Sequence, residues 1–98
     1  MVEINWTDES EQWLKDIHDF IALENPSAAV NTVTGIYEKA QRLKSFPRMG
    51  YRYEPIRERE VRILLYGHYR LAYLIKDDNR IDVLGVFHGS LDISRYLF

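Results

Sequence analysis

The fold is decided by the stretch VRILLYGHYRLAYLIKDDNRIDVLGVFHG, residues 61–89. Aromatic and β-branched residues fill three runs in it, and Gly, Asp and Asn concentrate where the chain must reverse, a pattern typical of β-strands joined by turns. A tyrosine on each side of Gly67-His68 predicts a two-residue β-hairpin in which the glycine takes a positive φ. We therefore predict a three-strand antiparallel meander, with strands at Val61–Tyr66, Tyr69–Lys76 and Ile81–His88.

Alternation along the meander assigns its side chains to two faces. Pairing Tyr66 with Tyr69 places Val61, Ile63, Leu65, Arg70, Ala72 and Leu74 on one face, and Arg62, Leu64, Tyr66, Tyr69, Leu71, Tyr73 and Ile75 on the other. Both faces are largely apolar, whereas a half-solvated antiparallel sheet has one polar face. Two helices can cover one face only. The other face is then either a partner-binding surface or is covered by the C-terminal segment and the loop at 47–57.

The residues before the meander predict a short strand and a helical hairpin. Val2 to Asn5 alternates weakly, and Thr7 or Asp8 can cap a helix that ends by Asn25, since a residue before proline avoids the α region. Asn25-Pro26 starts a second helix, which Pro47 ends. The apolar positions at helical spacing are Trp13, Leu14, Ile17, Phe20 and Ile21 in the first helix, and Ala29, Val33, Ile36, Ala40 and Leu43 in the second.

These elements predict one α+β domain over residues 1–98: a short N-terminal strand and an antiparallel helical hairpin packed on an antiparallel sheet. Gly35 interrupts the second helix, either for close approach to the first helix or as a tolerated surface glycine. The segment 47–57 (PRMGYRYEPIR) is predicted to be irregular. Its interleaved arginines and tyrosines are suited to contact nucleic acid, but loops are commonly polar, and both interpretations stay open. Residues 90–98 predict a short turn or helix.

Composition narrows the class of protein. The 98 residues contain no cysteine, which excludes disulfides and thiolate metal sites and suits a reducing, cytoplasmic location. No apolar run approaches the roughly 20 residues that span a membrane. A net charge of −2 argues against a large phosphate-binding surface. His18, His68 and His88 lack metal-ligand spacing, so neither a metal nor another cofactor is expected.

Two residues of the meander are candidates for chemistry. Arg70 lies in mid-strand, where an unpaired charge is costly, and either forms a structural salt bridge or serves function. His88 ends the last strand, where it can act as an acid or base or simply form a hydrogen bond. If the second turn holds two or four residues in register, Tyr69 faces His88 and Arg70 points to the other side. A three-residue bulged turn would bring Arg70 and His88 together.

The order of strand, helical hairpin and meander, together with YGHYRLAYLI (66–75) and VLGVFHGSLDI (83–93), resembles the RelE/ParE superfamily of type II toxin–antitoxin toxins. The similarity extends over nearly the whole chain. Its specific motifs are Gly67-x-Tyr69-Arg70-Leu71-x-Tyr73 and Val86-x-His88-Gly89-x-x-Asp92.

The resemblance implies alternative functions. ParE-like members inhibit DNA gyrase or its relative topoisomerase IV and maintain plasmids or chromosomal segments. RelE-like members are endonucleases that cut mRNA on the ribosome. A third class keeps the fold but has lost toxicity. In each, a cognate antitoxin protein is the expected partner, and no direct DNA binding is expected from the toxin alone.

Individual residues favour the ParE-like branch. Arg70 matches an arginine common to both branches, and with His88 it would serve the nuclease alternative. RelE-like nucleases place lysines on the preceding strand, where this chain has Val61 and Ile63. The ending VFHGSLD is similar to the ParE-type ending. We therefore expect a gyrase inhibitor rather than an enzyme.

The binding residues expected on this resemblance lie in two places. Val61, Ile63, Leu65 and Leu74 on the sheet face are predicted to bind the antitoxin, as a groove for an amphipathic helix. Arg95 and Tyr96 in the C-terminal tail are the predicted contacts to the target enzyme.

Overall fold

The predicted meander is present in the computed structural model, which describes residues 2–97. The strands are β1 (Glu3–Trp6), β2 (Tyr51–Arg52), β3 (Glu60–Tyr66), β4 (Tyr69–Asp77) and β5 (Arg80–His88). The α-helices are α1 (Asp8–Ala22) and α2 (Pro26–Gln41), and short 3₁₀ helices cover Arg42–Lys44 and Ile93–Arg95. The α+β class is confirmed, with five strands in one sheet in the order β1-β5-β4-β3-β2.

The sheet is mixed rather than wholly antiparallel. The meander strands β3, β4 and β5 pair antiparallel, as predicted. The predicted N-terminal strand, however, joins the sheet as β1 in parallel to β5, with Ile4 opposite Ile81. A long connection between the two strands permits this direction, whereas a short hairpin would force an antiparallel pair.

The turns set the register. Tyr66 pairs with Tyr69, and Gly67 has a φ of 57°, as predicted for the first β-hairpin. In the second, Asp77 pairs with Arg80. Two irregularities interrupt the β4–β5 ladder, between Ala72 and Tyr73 and between Ile75 and Asp77. They offset each other, because one skips Leu84 on β5 and the other skips Lys76 on β4.

Both helices begin at side-chain caps. The Thr7 hydroxyl accepts a hydrogen bond from the Ser10 amide at 3.2 Å. The Asn25 side chain accepts one from the Ala28 amide at 3.0 Å, and Pro26 is the first helical residue. These contacts satisfy amide groups that the first helical turn would leave free. The two helices therefore start where the sequence predicted.

Two apolar layers pack on opposite faces of the sheet. The first lies under the helical hairpin and contains Ile36, Leu43, Leu64, Leu71, Tyr73, Ile81, Val83 and Val86. The second contains Val61, Ile63, Ala72, Leu74, Phe87, Ile93 and Leu97. The face assignment from alternation is confirmed. The second face is not bare, because the C-terminal tail and loop residues Tyr53 and Ile56 pack on it.

Gly35 of α2 makes room for a tyrosine of the sheet. A Cβ at this position would lie 1.9 Å from the Tyr66 hydroxyl oxygen and 2.6 Å from its Cζ. The close approach is therefore between α2 and β3, and neither alternative considered from the sequence was correct.

The segment before β3 is ordered by buried contacts. The Tyr73 hydroxyl donates to the Pro47 carbonyl at 2.7 Å and accepts from the Gly50 amide at 3.1 Å. Arg62 donates to the Gly50 carbonyl at 2.6 Å. The segment predicted to be irregular thus contains the short strand β2, whose Tyr51 pairs with Ile63.

Candidate functional site

The end of the sheet at the β3–β4 turn gathers polar side chains around His88. The rings of His68 and His88 stack with centroids 6.4 Å apart, and Tyr69 meets His88 edge to face at 5.8 Å. The Ser90 hydroxyl lies 2.9 Å from His88 Nδ1, and the Ser90 amide donates to the same nitrogen at 3.3 Å. Since Nδ1 accepts from a backbone amide, the neutral imidazole carries its proton on Nε2.

The turn holds these rings together. Gly89 donates its amide hydrogen to the His68 carbonyl at 2.7 Å, which ties the end of β5 to the β3–β4 turn. An open depression of about 340 Å³ results, lined by Leu65, Gly67, His68, Tyr69, Arg70, His88, Gly89 and Ser90. The depression offers imidazole and hydroxyl groups to solvent.

Arg70 has a structural partner. Its Nη2 donates to the Leu91 carbonyl at 2.5 Å, while its Nε is buried without a hydrogen-bond partner. The salt bridge considered as one alternative for Arg70 is not among the ion pairs of residues 2–97; the guanidinium binds the backbone of the C-terminal tail. Sequence analysis missed this contact because no local pattern reports which carbonyl a tail brings to a strand.

The register separates the two candidates for chemistry. Tyr69 is opposite His88, and Arg70 is opposite Phe87. Successive side chains of a strand point to opposite faces, so Arg70 lies on the tail side of the sheet and His88 on the other. Among residues 2–97, no hydrogen bond joins Arg70 to His88.

The residues predicted to bind an antitoxin differ in their exposure. Val61, Ile63 and Leu74 are buried at 0%, 1% and 6% relative exposure, under the tail and the loop. As an open surface these three were predicted wrongly, because the chain covers that face itself. Leu65 is 54% exposed.

The residues predicted to contact the target lie in the tail. Tyr96 is half exposed, and its ring packs against Trp13 at 5.1 Å and Phe87 at 5.8 Å. Arg95 is largely exposed and forms a long ion pair with Asp92 at 3.9 Å. Hydrogen bonds from Ser94 lower the pKa of Asp92, so this carboxylate stays charged. Arg95 and Tyr96 are thus available in part to a partner.

A polar cluster that sequence analysis did not identify lies beside β3. Glu60 accepts hydrogen bonds from Arg48 at 2.9 and 3.1 Å and from Arg62 at 2.8 Å. The bond from Arg48 is the main reason that the pKa of Glu60 is lowered. Burial raises the pKa of nearby Tyr73, which keeps its hydroxyl protonated as a donor to Pro47. The alternation of side chains correctly placed Arg62 and Tyr73 on one face of the sheet. It could not show that both residues contact the loop at 47–50.

Residues 2–97 show neither a metal-binding cluster nor a membrane-spanning helix. Within residues 2–97, no group of three or more His, Cys, Asp or Glu side chains is arranged to hold a metal ion. No helix in the same range has the length and apolar character needed to cross a membrane.

Comparison with known proteins identifies the family. The sequence model of the family described as "ParE toxin of type II toxin-antitoxin system, parDE" matches residues 4–93. Among solved structures, a chain of the chromosomal ParDE TA system from P. aeruginosa superposes with a TM-score of 0.75 at 22% sequence identity, covering 90% of this chain and 96% of that chain. At that identity the superposition shows the fold alone. No curated protein matches the sequence. Because the family match spans most of its length, this chain belongs to the ParE toxin family of type II toxin–antitoxin systems.

Proposed function

We propose that this ParE-family chain inhibits DNA gyrase, or the related topoisomerase IV, by binding it, and that a cognate antitoxin neutralises this activity. The toxin would act in the bacterial cytoplasm and serve to maintain a plasmid or chromosomal segment. The observation that carries the proposal is the separation of Arg70 from His88 by the sheet register. A phosphodiester nuclease needs a cation on the phosphate and a proton-transfer group at the same reacting centre.

The neighbouring residues support binding rather than catalysis. Arg70 is engaged by the Leu91 carbonyl. On β3, the positions where related nucleases carry lysines hold the buried apolar residues Val61 and Ile63. The cations that would offset developing phosphate charge are therefore not found at these positions.

Antitoxin binding is proposed at the exposed apolar residues. The helical hairpin presents Phe20, Leu23 and Val30 at 76%, 82% and 55% exposure, and the β3 edge presents Leu65. Exposed apolar residues in this number favour association with a partner. An amphipathic antitoxin helix would bury the exposed residues of the hairpin, and a further antitoxin segment would cover Leu65 on the opposite face of the sheet. Co-expression with the antitoxin should increase soluble yield, and Leu23→Glu should remove that gain while Met49→Glu, at an exposed apolar position outside these surfaces, should not.

A ribosome-dependent mRNA endonuclease is the second candidate. The stacked imidazoles of His68 and His88, beside the Ser90 hydroxyl, favour it. Arg70 lines the same open depression as these groups. A substrate phosphate at the rim of this depression would lie beside lining side chains from both faces of the sheet, Arg70 from one and His88 from the other.

One paired assay separates the two functions and the non-toxic alternative. Purified toxin is added to a gyrase supercoiling reaction and to a ribosome-bound mRNA cleavage reaction. We expect loss of supercoiling and intact mRNA. Cleaved mRNA with normal supercoiling would support the nuclease, and a folded chain inactive in both assays would contradict both toxic functions.

A further inference from the structure

An open pocket of about 320 Å³ lies where α1, β5 and the C-terminal tail meet. β1 ends at Trp6, opposite Val83, so β5 continues to His88 without β1 beside it. The first turn of α1 and the tail flank this part of β5 instead. The residues that line the pocket are Thr7, Glu9, Trp13, Leu84, Tyr96 and Leu97. Sequence analysis did not identify this site, because its three elements are distant along the chain.

The wall of the pocket is aromatic and anchored. The Trp13 ring meets Phe87 at 4.7 Å and Tyr96 at 5.1 Å, and the rings of Phe87 and Tyr96 stack at 5.8 Å. Phe87 and Leu97 are 1% and 6% exposed and belong to the second apolar layer, so buried contacts fix the cluster. Tyr96 is 50% exposed and presents part of its ring to solvent. Side chains that are already ordered lose little entropy when a ligand packs on them.

The pocket carries an unpaired negative charge. Glu9 is the charged residue of its lining, and no ion pair among residues 2–97 involves it. The N-terminus of a helix carries about half a positive charge, which the three carboxylates in the first turn of α1, Asp8, Glu9 and Glu11, outweigh. The cation of the tail, Arg95, pairs with Asp92 at 3.9 Å. The pocket therefore favours a cationic ligand over an anionic one.

We propose that this site, which we term the α1 pocket, receives an arginine side chain of the antitoxin. The aromatic wall suits the alkyl stem and the flat guanidinium group, which stacks on Trp and Tyr rings. Glu9 then accepts hydrogen bonds from the guanidinium. A lysine ammonium would pair with Glu9 but does not stack in this way, and an uncharged side chain would leave the Glu9 carboxylate without a cation. The inference rests on the proposed neutralisation by an antitoxin and names a side chain on which that binding depends.

One face of α1 connects the pocket with the surface proposed for the antitoxin. Residues 9, 13, 16 and 20 follow steps of four, three and four and therefore lie on one side of the helix. Phe20 on this side is 76% exposed. At about 1.5 Å per residue, Phe20 lies about 16 Å from Glu9 along the helix axis, a distance that about three turns of an antitoxin helix span. An arginine in the pocket would also cover Tyr96, a proposed contact to the target, which gives neutralisation a steric basis.

The first test is a titration of the full, isotope-labelled chain with the peptide acetyl-Ala-Arg-Ala-amide, followed by NMR. The amide signals of residues 9, 13, 84 and 96 should shift together. One inserted side chain predicts a Kd of about 1–10 mM. The peptide with citrulline in place of arginine has the same shape without the charge. It should bind about threefold more weakly, as expected for loss of an exposed ion pair.

Matched variants assign the contact. Glu9→Gln should weaken binding of the arginine peptide about threefold and remove the preference over the citrulline peptide, because both changes delete the same interaction. Tyr96→Leu keeps apolar bulk but removes a ring and should also weaken binding about threefold. The controls Glu11→Gln and Tyr51→Leu alter another first-turn carboxylate and an equally exposed ring outside the pocket, and should leave the Kd unchanged. Thermal unfolding verifies that each variant is folded.

The second test identifies the occupant. The affinity of the toxin for the cognate antitoxin is measured by calorimetry with Glu9→Lys, which turns attraction into repulsion. We expect binding at least about tenfold weaker in Glu9→Lys and at most about twofold weaker in the control Glu11→Lys. When the arginines of the antitoxin are replaced one at a time, one of them should lose its contribution in the Glu9→Gln background.

Three results would overturn the inference. The first is no shift of the pocket signals with the arginine peptide. The second is equal affinity for the arginine and citrulline peptides, or equal loss in Glu11→Gln, which would show that Glu9 does not select a cation. The third is unchanged antitoxin affinity in Glu9→Lys, which would assign the pocket to another partner. The peptide titration contains neither antitoxin nor topoisomerase, and wild-type toxin that fails to bind the antitoxin or to inhibit gyrase would instead contradict the proposed function.

Discussion

Arg70 Nη2 donates to the carbonyl oxygen of Leu91 at 2.5 Å, so a charge near the start of the central strand β4 holds the chain's own tail. The tail in turn places Ile93 and Leu97 over the second face of the sheet. This contact gives the charge at Arg70 a partner and fixes the start of the tail, whose apolar residues then cover the face. Arg70 is a structural residue in this arrangement.

Replacing Arg70 should therefore loosen the tail. In Arg70→Met the hydrogen bond from a charged donor is lost, which costs about 1.5–3 kcal/mol. Part of this is recovered because Arg70 Nε is buried without a partner. We expect a net loss of about 1 kcal/mol and faster amide hydrogen exchange in residues 91–97, measured by mass spectrometry. Arg95→Met, at an exposed position, is the control. Unchanged exchange in the tail would contradict this role.

The buried contacts of the same tail decide which variants can be used to locate the residues responsible for toxicity. A chain truncated after Ser90 loses Ile93 and Leu97, which are 2% and 6% exposed. Burial of such side chains contributes about 1.5–3 kcal/mol each, so the truncation would unfold or aggregate the protein. Arg95→Ala and Tyr96→Ala test the proposed target contacts without removing these anchors.

Gly35 and Tyr66 provide a test of packing. Alanine at an ordinary helical glycine gains about 1 kcal/mol of helix propensity. Here the added Cβ would lie 1.9 Å from the Tyr66 hydroxyl oxygen. We expect Gly35→Ala to destabilise by about 1–3 kcal/mol, as overpacking does, in urea unfolding followed by circular dichroism. In a Tyr66→Ala background the same change should become neutral or stabilising, and equal destabilisation in both backgrounds would contradict the contact.

The sequence was informative wherever a pattern is local. Alternation assigned the meander faces, the tyrosines around Gly67 set the first register, and Thr7 and Asn25 marked the helix starts. These features depend on neighbours within a few residues. The resemblance to the RelE/ParE superfamily rests largely on motifs in the same stretch, and the family match over residues 4–93 confirms it.

What could not be predicted depends on contacts distant in sequence. Parallel pairing of β1 joins residues 77 positions apart, as at Ile4 and Ile81. The two ladder irregularities have no signal in the sequence; because they offset each other, the register set by the Asp77–Arg80 turn is restored at Tyr69 and His88, and Arg70 and His88 lie on opposite faces. That the C-terminal tail covers the second face of the sheet could not be predicted either, because the sequence does not show where Ile93 and Leu97 pack. The sequence therefore identified the residues of the candidate site but not how they are arranged in space.

Glu60 should give the protein an acid-sensitive step. The pKa of Glu60 is lowered from 4.5, mainly by the hydrogen bond from Arg48, with Arg62 contributing. A group whose folded pKa is lowered adds stability above its unfolded pKa and loses it as the pH falls through the folded pKa. The free energy of unfolding should thus decline below pH 4.5, and Glu60→Gln should flatten that decline. Glu58→Gln is the control, and an unchanged pH profile in Glu60→Gln would contradict the assignment.

Tyr73 should act at the opposite end of the pH scale. Burial raises the pKa of Tyr73 above its ordinary value of 10.0. The folded state therefore holds the proton more tightly than the unfolded state, and stability falls as the pH rises above 10. Tyr73→Phe should remove this dependence but lower stability at neutral pH by about 1–3 kcal/mol, since the Gly50 amide and Pro47 carbonyl lose a partner. Chemical unfolding at pH 7 and pH 10.5 measures both effects.

The most direct test of the central claim is DNA supercoiling by gyrase, titrated with wild-type toxin and with His88→Gln. Glutamine can replace a hydrogen bond at His88 but cannot move a proton, and removing a catalytic acid or base typically costs about 10²- to 10⁴-fold. An inhibitor that acts by binding should keep its potency in His88→Gln within about threefold, which is the result we predict. Unimpaired supercoiling in the presence of folded wild-type toxin would contradict the account.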